Sequence, residues 1–192
     1  GAFSQAFIPI YSEYLGRKDE KGSKDFLNAL FGILLSALFI FSALALLFAP
    51  IFILIFAPGF YFDTQKQDLA VSLLRIMFPY LALISLVAFA AGIQNSHNKF
   101  SIPAVTPLIF NLSLICSAWL VAPKIEIPVM ALAWGVLLAG FLQLLFQIAP
   151  LATIKKIPVP KIDFQNPGVK KFFILILPAI IAGGIAQINL LV

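Results

Sequence analysis

Cysteine, histidine and charged residues are all scarce in this chain of 192 residues. Cys116 is the single cysteine and lies within an apolar run, so it forms neither a disulfide nor a thiolate metal cluster within the chain. His97 is the single histidine and has no second histidine or cysteine to complete a zinc site. Only 11% of the residues are charged and 61% are hydrophobic, whereas a soluble domain has about a quarter charged residues. The composition therefore excludes a water-soluble globule and indicates a membrane protein, in agreement with the mean hydropathy of +1.03.

Residues for catalysis are missing as well. The eight acidic residues lie in loops or near the ends of apolar runs, so no predicted span carries a carboxylate at its middle. The nucleophile-elbow and phosphate-loop patterns are both absent. We therefore expect no enzymatic activity, no catalytic residue, no metal and no cofactor.

Long apolar runs dominate what is present. A helix needs about 20 apolar residues to cross a bilayer, and the runs predict a partial span at 1–15, spans at 26–57, 69–93, 103–122 and 128–149, and a sixth at 170–192. The run 26–57 exceeds the bilayer thickness, so it must tilt, protrude or kink near Ala49–Pro50. The chain begins with Gly1, where we expect no signal peptide, and it stops inside an apolar run. We expect an internal fragment of a longer polytopic all-α protein.

The positive residues alternate between the loops. Ten of the thirteen lysines and arginines fall in the loops 16–25, 94–102 and 150–171, whereas the loops 58–68 and 123–127 carry only Lys66 and Lys124. The positive-inside rule makes the three basic loops cytoplasmic. The net charge of +5 is thus explained without nucleic acid, because the lysines lie between apolar runs rather than on one face. Prolines keep the loop 150–171 extended, and we interpret it as a solvated linker, with partner docking as the alternative.

The polar stretch "AAGIQNSHNKFSIPAVTP" at 90–107 interrupts two apolar runs. Its position between two spans predicts a short cytoplasmic turn. Its polar side chains would form hydrogen bonds with the backbone groups that have no partner at the helix ends. Ser101 followed by Pro103 favours the start of the next helix.

Uncharged polar residues and prolines occur within the predicted spans. The polar residues are Ser4, Gln5, Asn111, Ser113, Ser117, Gln143, Gln147, Gln187 and Asn189, and the prolines are Pro9, Pro79, Pro107 and Pro178. Such polar groups either join helices by hydrogen bonds or line a wet cavity. Prolines permit bending, which suits a transporter that alternates its access, although they also occur in static bundles.

Several of these segments resemble the MurJ (MviN) lipid II flippase family of the MOP exporter superfamily. The similar segments are "GAFSQAFIPIYSEY" at 1–14, "FAPGF" at 56–60, the run 78–115, "ALAWGVLLAGFLQLLFQ" at 131–147 and "LPAIIAGGIAQINLLV" at 177–192. The most specific part is the run containing Asn95, Phe100, Pro103 and Ala104. Members of this family move the undecaprenyl-pyrophosphate-linked peptidoglycan precursor across the bacterial inner membrane by alternating access between two pseudo-symmetric lobes.

The resemblance implies that the chain runs from the middle of the family's second helix to the start of its seventh. Residues 1–154 would then be N-lobe helices, 155–169 a cytoplasmic linker between lobes, and 170–192 the start of the first C-lobe helix. The family's charged cavity residues fall outside this sequence. Ser4 and Gln5 match the cavity-lining motif of the second helix, and Gln187 matches a glutamine of the seventh, where Ala186 replaces a frequent serine. Asn95, Phe100 and Pro103 would fix how two helices of one lobe meet.

The resemblance also implies the partners, which are lipid II and membrane lipids, with a monomeric full-length protein. Two alternatives stay open: another exporter of the superfamily, for polysaccharide lipids or drugs, and a membrane scaffold that transports nothing. A scaffold would need no polar cavity.

Overall fold

The structure, a computed structural model, describes residues 2–189, with side chains except those of residue 61 and residues 183–189. Helices account for all regular structure in this part of the chain, so the prediction of an all-α fold is confirmed. The α-helices are α1 (Ala2–Gly16), α2 (Glu20–Leu47), α3 (Ala49–Phe56), α4 (Thr64–Met77), α5 (Pro79–Ser96), α6 (Ser101–Cys116), α7 (Pro128–Thr153) and α8 (Pro167–Asn189). Short 3-10 turns cover Pro58–Phe62 and Ala122–Lys124, and a π-helical stretch follows α6 at Ser117–Val121.

Four stretches are long and apolar enough to cross a membrane, judged by length and composition among the described residues. They are Glu20–Leu47, Thr64–Ser96, Ser101–Lys124 and Pro128–Thr153.

Two of the apolar runs break before a proline. The run 26–57 divides at Phe48, immediately before α3, which has Pro50 in its first turn. The run 69–93 lies in α4 and α5, which are separated at Phe78 because Pro79 begins α5. Proline lacks an N–H and its ring clashes with the preceding turn. Pro50 and Pro79 therefore lie in the first turn of a new helix.

Three helices that lead into basic loops end in the same way. A residue with positive φ follows the last turn of α1, α5 and α7. In each case the amide of the next residue donates a hydrogen bond to the carbonyl of the residue five positions before it. The positive-φ residues are Lys18, Asn98 and Lys155, with φ of 54°, 59° and 54°. Glycine usually holds this position, and lysine here places a cation at the negative end of the helix dipole.

The described residues divide into two compact units. Unit 1 comprises residues within 1–36, 87–103 and 147–192, and unit 2 comprises 37–86 and 104–146. Unit 1 therefore contains the three basic loops, and unit 2 contains the two loops that have few positive charges.

Unit 1 has a core of large aromatic side chains. Phe7 of α1 stacks on Tyr11 and on Phe26 of α2, with ring centroids 5.4 and 5.9 Å apart, and meets Phe89 of α5 edge-on at 5.5 Å. All four side chains are buried. Gly92 allows this packing, because a Cβ atom there would lie 2.9 Å from a ring carbon of Phe7.

Unit 2 packs through small residues instead. A Cβ atom on Gly140 of α7 would lie 2.9 Å from both Leu83 and Tyr80 of α5. A Cβ atom on Gly135 would lie still closer to the Ser117 side chain, and the Ser113 hydroxyl donates to the Gly135 carbonyl at 2.8 Å. Small residues let helix backbones approach closely where hydrophobic contrast with the surroundings is weak, as in a bilayer.

Residues 155–166, which we name the strap, lie against α2. The Val159 amide donates to Oδ1 of Asn28 at 2.8 Å, and the Lys161 amide donates to the Asn28 carbonyl at 3.1 Å. A Cβ atom on Gly32 would clash with the Lys161 backbone. The strap then ends at Asn166, whose Oδ1 accepts from the Gly168 amide at 2.9 Å at the start of α8. The solvated linker interpreted from the sequence is thus fixed to a helix of its own unit.

Candidate functional site

Ser4 and Gln5 lie in the first turns of α1, where Ser4 is half-buried and Gln5 is exposed. The opposite face of α1 carries Phe7, Ile10 and Tyr11, which are buried in the unit 1 core. Gln5 therefore points away from the core rather than into it.

The exposed face of α1 is unusual for an apolar helix. Gln5 is followed at helical spacing by Pro9 and Ser12, both exposed, and by Gly16. We name Gln5, Pro9 and Ser12 the polar stripe. By contrast, the exposed side of α7 carries large apolar groups such as Trp134, Leu138 and Phe141. Ser12 was missed by the sequence interpretation, although its spacing of seven residues from Gln5 would have placed both on one face.

Gln187 belongs to the backbone of α8, but its side chain lies outside the described residues. The assignment of Gln187 to the cavity lining therefore stays a prediction, and the side chain of Asn189 also lies outside the described residues.

Most of the other polar residues in the spans join helices. Ser113, Ser117, Gln143 and Gln147 are all buried, and Nε2 of Gln143 donates to the Thr106 carbonyl at 3.0 Å. Asn111 differs from these, because it is exposed on α6. Of the two interpretations, hydrogen bonding between helices accounts for Ser113, Gln143 and Gln147, whereas Ser117 is buried against Gly135 of α7.

A buried glutamine pair joins α5 and α7 within unit 1. Nε2 of Gln94 donates to Oε1 of Gln147, and both side chains are fully buried. Oε1 of Gln94 has no hydrogen-bond partner among the described residues. The sequence interpretation placed Gln94 in the polar turn, yet its spacing from Val87 and Ala90 puts it on the buried face of α5.

The polar turn itself is short, since α5 continues through Ser96 and α6 starts at Ser101 with Pro103 in its first turn. Asn95 accepts the Asn98 amide through its carbonyl at 3.0 Å, and Phe100 is exposed. The role of Asn95, Phe100 and Pro103 in setting the helix contact stays a prediction.

His97 contacts the hydroxyl of a buried tyrosine of α1. The Tyr11 hydroxyl and Nε2 of His97 share a hydrogen bond of 3.0 Å, which ties the turn to α1. Burial, followed by the positive charge of Lys156, lowers the pKa of His97 below its ordinary value. The described residues contain no group of three histidine, cysteine, aspartate or glutamate side chains able to hold a metal ion.

An ion-pair cluster lies at the end of α1 near α8. Glu13 binds Arg17 at 2.7 Å and also Lys171 of α8. The pairs are exposed, so each contributes little to stability. Glu13 is the only acidic residue of α1, and two cations neutralise its charge.

Comparison with known proteins identifies the family. The family described as "Lipid II flippase MurJ" matches residues 1–192. Among curated relatives, a lipid II flippase MurJ of Burkholderia cenocepacia is 37% identical over 196 residues, covering 100% of this chain and 38% of the relative. Probable lipid II flippases MurJ of Buchnera aphidicola (from Acyrthosiphon pisum) and Vibrio cholerae are 38% and 35% identical, each covering 100% of this chain and 38% of the relative.

The chain thus spans about two fifths of the length of these relatives. The family match and the four candidate spans together make it a multi-pass membrane protein. The resemblance found in the sequence motifs is confirmed: the chain belongs to the lipid II flippase MurJ family.

Proposed function

We propose that the protein containing this chain is a lipid II flippase of the bacterial inner membrane. It moves the undecaprenyl-pyrophosphate-linked precursor of peptidoglycan across the bilayer by alternating access, and it performs no enzymatic step. The observation that carries this proposal is the family match over residues 1–192, with relatives named as lipid II flippases at 34–38% identity. The full-length protein acts as a monomer, needs no cofactor and binds no nucleic acid.

Within the protein, residues 1–154 belong to the N-lobe, 155–169 to the linker between lobes and 170–192 to the first C-lobe helix. The polar stripe on α1 faces the substrate path, together with Ser4 and Gln187. Support comes from the exposure of Gln5, Pro9 and Ser12 on a helix whose other side is buried in an aromatic core. A hydrated path for a large polar headgroup needs such a face, because hydrocarbon cannot solvate it.

The experiment that tests this function is depletion of the full-length protein in a strain without a second flippase. Lipid II then accumulates on the cytoplasmic leaflet and the cells lyse. Normal amounts of lipid II on the outer leaflet after depletion would contradict the proposal, and would favour an exporter of another lipid or a scaffold.

The proposed orientation places the loops 16–25, 94–102 and 150–171 in the cytoplasm. It is tested by labelling single cysteines with a membrane-impermeant thiol reagent, after replacement of the exposed Cys116 by serine. Lys99, Gln165 and Thr64 are exposed and suit this purpose. Cysteines at positions 99 and 165 stay unlabelled in intact cells while one at position 64 reacts. Labelling at position 99 but not at 64 would reverse the orientation.

A further inference from the structure

A cleft of about 660 Å³ lies in unit 1, between the first two turns of α2 and the segment that joins α7 to the strap. Four lysines line it, and Glu20 is the one acidic residue among its lining groups. Lys21 and Lys24 come from α2, and Lys155 and Lys156 follow the end of α7. The cleft is thus strongly cationic and lies where two candidate membrane spans end.

The four lysines lack partners of opposite charge. In the part of the chain that the structure describes, none of them forms an ion pair. Other basic residues of unit 1 do pair, since Arg17 and Lys171 bind Glu13, and Lys161 lies 3.7 Å from Asp163. Like charges held close together without counter-ions repel one another, so an anion between them would be stabilised.

The cleft is also a fixed feature rather than a chance gathering of surface lysines. Asn28 lines it and holds its far wall in place, because its Oδ1 accepts the Val159 amide at 2.8 Å. On the other side, Lys155 has a φ of 54° and Lys156 donates its amide to the Leu151 carbonyl at 3.0 Å. Lysine thus occupies a backbone position where glycine is usual.

Apolar groups lie beside the charged ones. Leu27 is buried beneath the cleft, whereas Ile157 is 53% exposed at its rim. A cationic cleft with an apolar rim at the end of membrane spans fits an amphiphile with a phosphate head better than it fits a soluble anion. We propose that this cleft binds the phosphate headgroup of an anionic phospholipid in the cytoplasmic leaflet, on the side where the proposed orientation places the loops 16–25 and 150–171.

The site is independent of the proposed transport function. It uses residues outside the polar stripe, and its occupant is a lipid of the bilayer rather than the transported molecule. Binding there would hold the strap against α2, since Lys155 and Lys156 lead directly into the strap.

The test is a native mass spectrometry titration of the full-length protein in neutral detergent. Phosphatidylglycerol, phosphatidylcholine and inorganic phosphate are the probes. We expect phosphatidylglycerol to bind at least about tenfold more tightly than phosphatidylcholine. Equal affinity for the two lipids, or binding of inorganic phosphate as tight as that of phosphatidylglycerol, would overturn the proposal.

Paired variants locate the site. Lys24→Gln with Lys156→Gln lowers the affinity for phosphatidylglycerol about 25-fold, at about fivefold for each lysine lost. The matched control, Lys161→Gln with Lys171→Gln, removes the same charge outside the cleft and retains most of the affinity. An equal loss in both double variants would mean general electrostatic attraction and would overturn the site.

Asn28→Ala keeps every charge but frees the strap, and it also weakens binding. Because the double variants could fail to fold, a photoactivatable phosphatidylglycerol is used on the wild-type protein as well. Crosslinks within 20–28 and 154–158 support the site, whereas crosslinks confined to other segments contradict it.

Discussion

The two units of this chain bury different kinds of side chain. Unit 1 encloses large rings, including Phe7, Tyr11, Phe26 and Phe89. Among the buried hydrophobic residues of unit 2 nothing is larger than valine, and most are alanines: Ala45, Ala49, Val71, Ala131, Ala133, Val136 and Ala139. Its large side chains, such as Phe39, Trp119 and Trp134, are exposed instead.

This difference follows from the solvent that each part of a membrane protein meets. Unit 1 contains the three basic loops and has aqueous or headgroup surroundings there, so hydrophobic burial drives its packing. Hydrocarbon gives no such drive, so unit 2 gains from close backbone contact and from hydrogen bonds such as that of Gln143 to Thr106. Large apolar side chains therefore form the core of unit 1, whereas in unit 2 they lie on the exposed surface.

The largest expected effect is on the aromatic core of unit 1. Phe7→Ala removes a ring that contacts four other rings, and it destabilises the protein by about 3–5 kcal/mol. The measurement is unfolding of the full-length protein in detergent. Phe39→Ala in unit 2 is the matched control, because Phe39 is 75% exposed, and we expect less than about 1 kcal/mol there. Equal losses would remove the distinction between the units.

A second prediction concerns the close helix contacts of unit 2. Gly140→Leu forces side-chain atoms into Tyr80 and Leu83 and costs about 1–3 kcal/mol. Gly59→Leu provides the control, since nothing lies within 4 Å of the position its Cβ atom would take. Thermal unfolding of both variants measures the contrast. Unchanged stability of Gly140→Leu would show that α5 and α7 do not pack closely.

The buried glutamine pair gives a third effect, of similar size. Gln94→Leu leaves Gln147 without one of its partners and costs about 1–3 kcal/mol, whereas replacing both by leucine is nearly neutral. A double-mutant cycle on unfolding free energies measures the coupling. Additive losses would show that the two side chains do not interact.

The smallest expected effect is that of pH on the turn at His97. Because burial and Lys156 lower its pKa, the folded protein binds this proton less readily than the unfolded chain, whose pKa is about 6.5. The stability contributed by the neutral imidazole is present above that pH and is lost as the pH falls below it. We expect Tm to decrease between about pH 6.5 and 5, and less so in His97→Gln. The same slope in both proteins would exclude His97 as its source.

The sequence predicted the family and the four apolar stretches that are long enough to cross a membrane, whereas the partial span 1–15 and the span 170–192 stay predictions. It did not predict how the polar residues divide between packing and exposure. Hydropathy predicts a span because the thickness of the bilayer sets the length of the apolar run, and this length does not depend on which helices pack against it. Whether Gln94 is buried or Gln5 is exposed depends on neighbouring helices. The contact of the strap with α2 could not be predicted either, because Asn28 and Val159 are 131 positions apart in the sequence. Only the proline breaks at Phe48 and Phe78 arise locally, and the first was expected near Ala49–Pro50.

The central claim is that the exposed polar stripe of α1 serves transport of lipid II. The most direct measurement is the amount of lipid II on the outer leaflet when a depleted strain expresses the full-length protein with Gln5→Leu. Gln65→Leu serves as a control, because Gln65 is also exposed but lies on α4. We predict that Gln5→Leu lowers the rate of appearance about tenfold at equal protein level, the cost of one lost hydrogen bond, while Gln65→Leu has little effect. Wild-type rates with Gln5→Leu would contradict the claim.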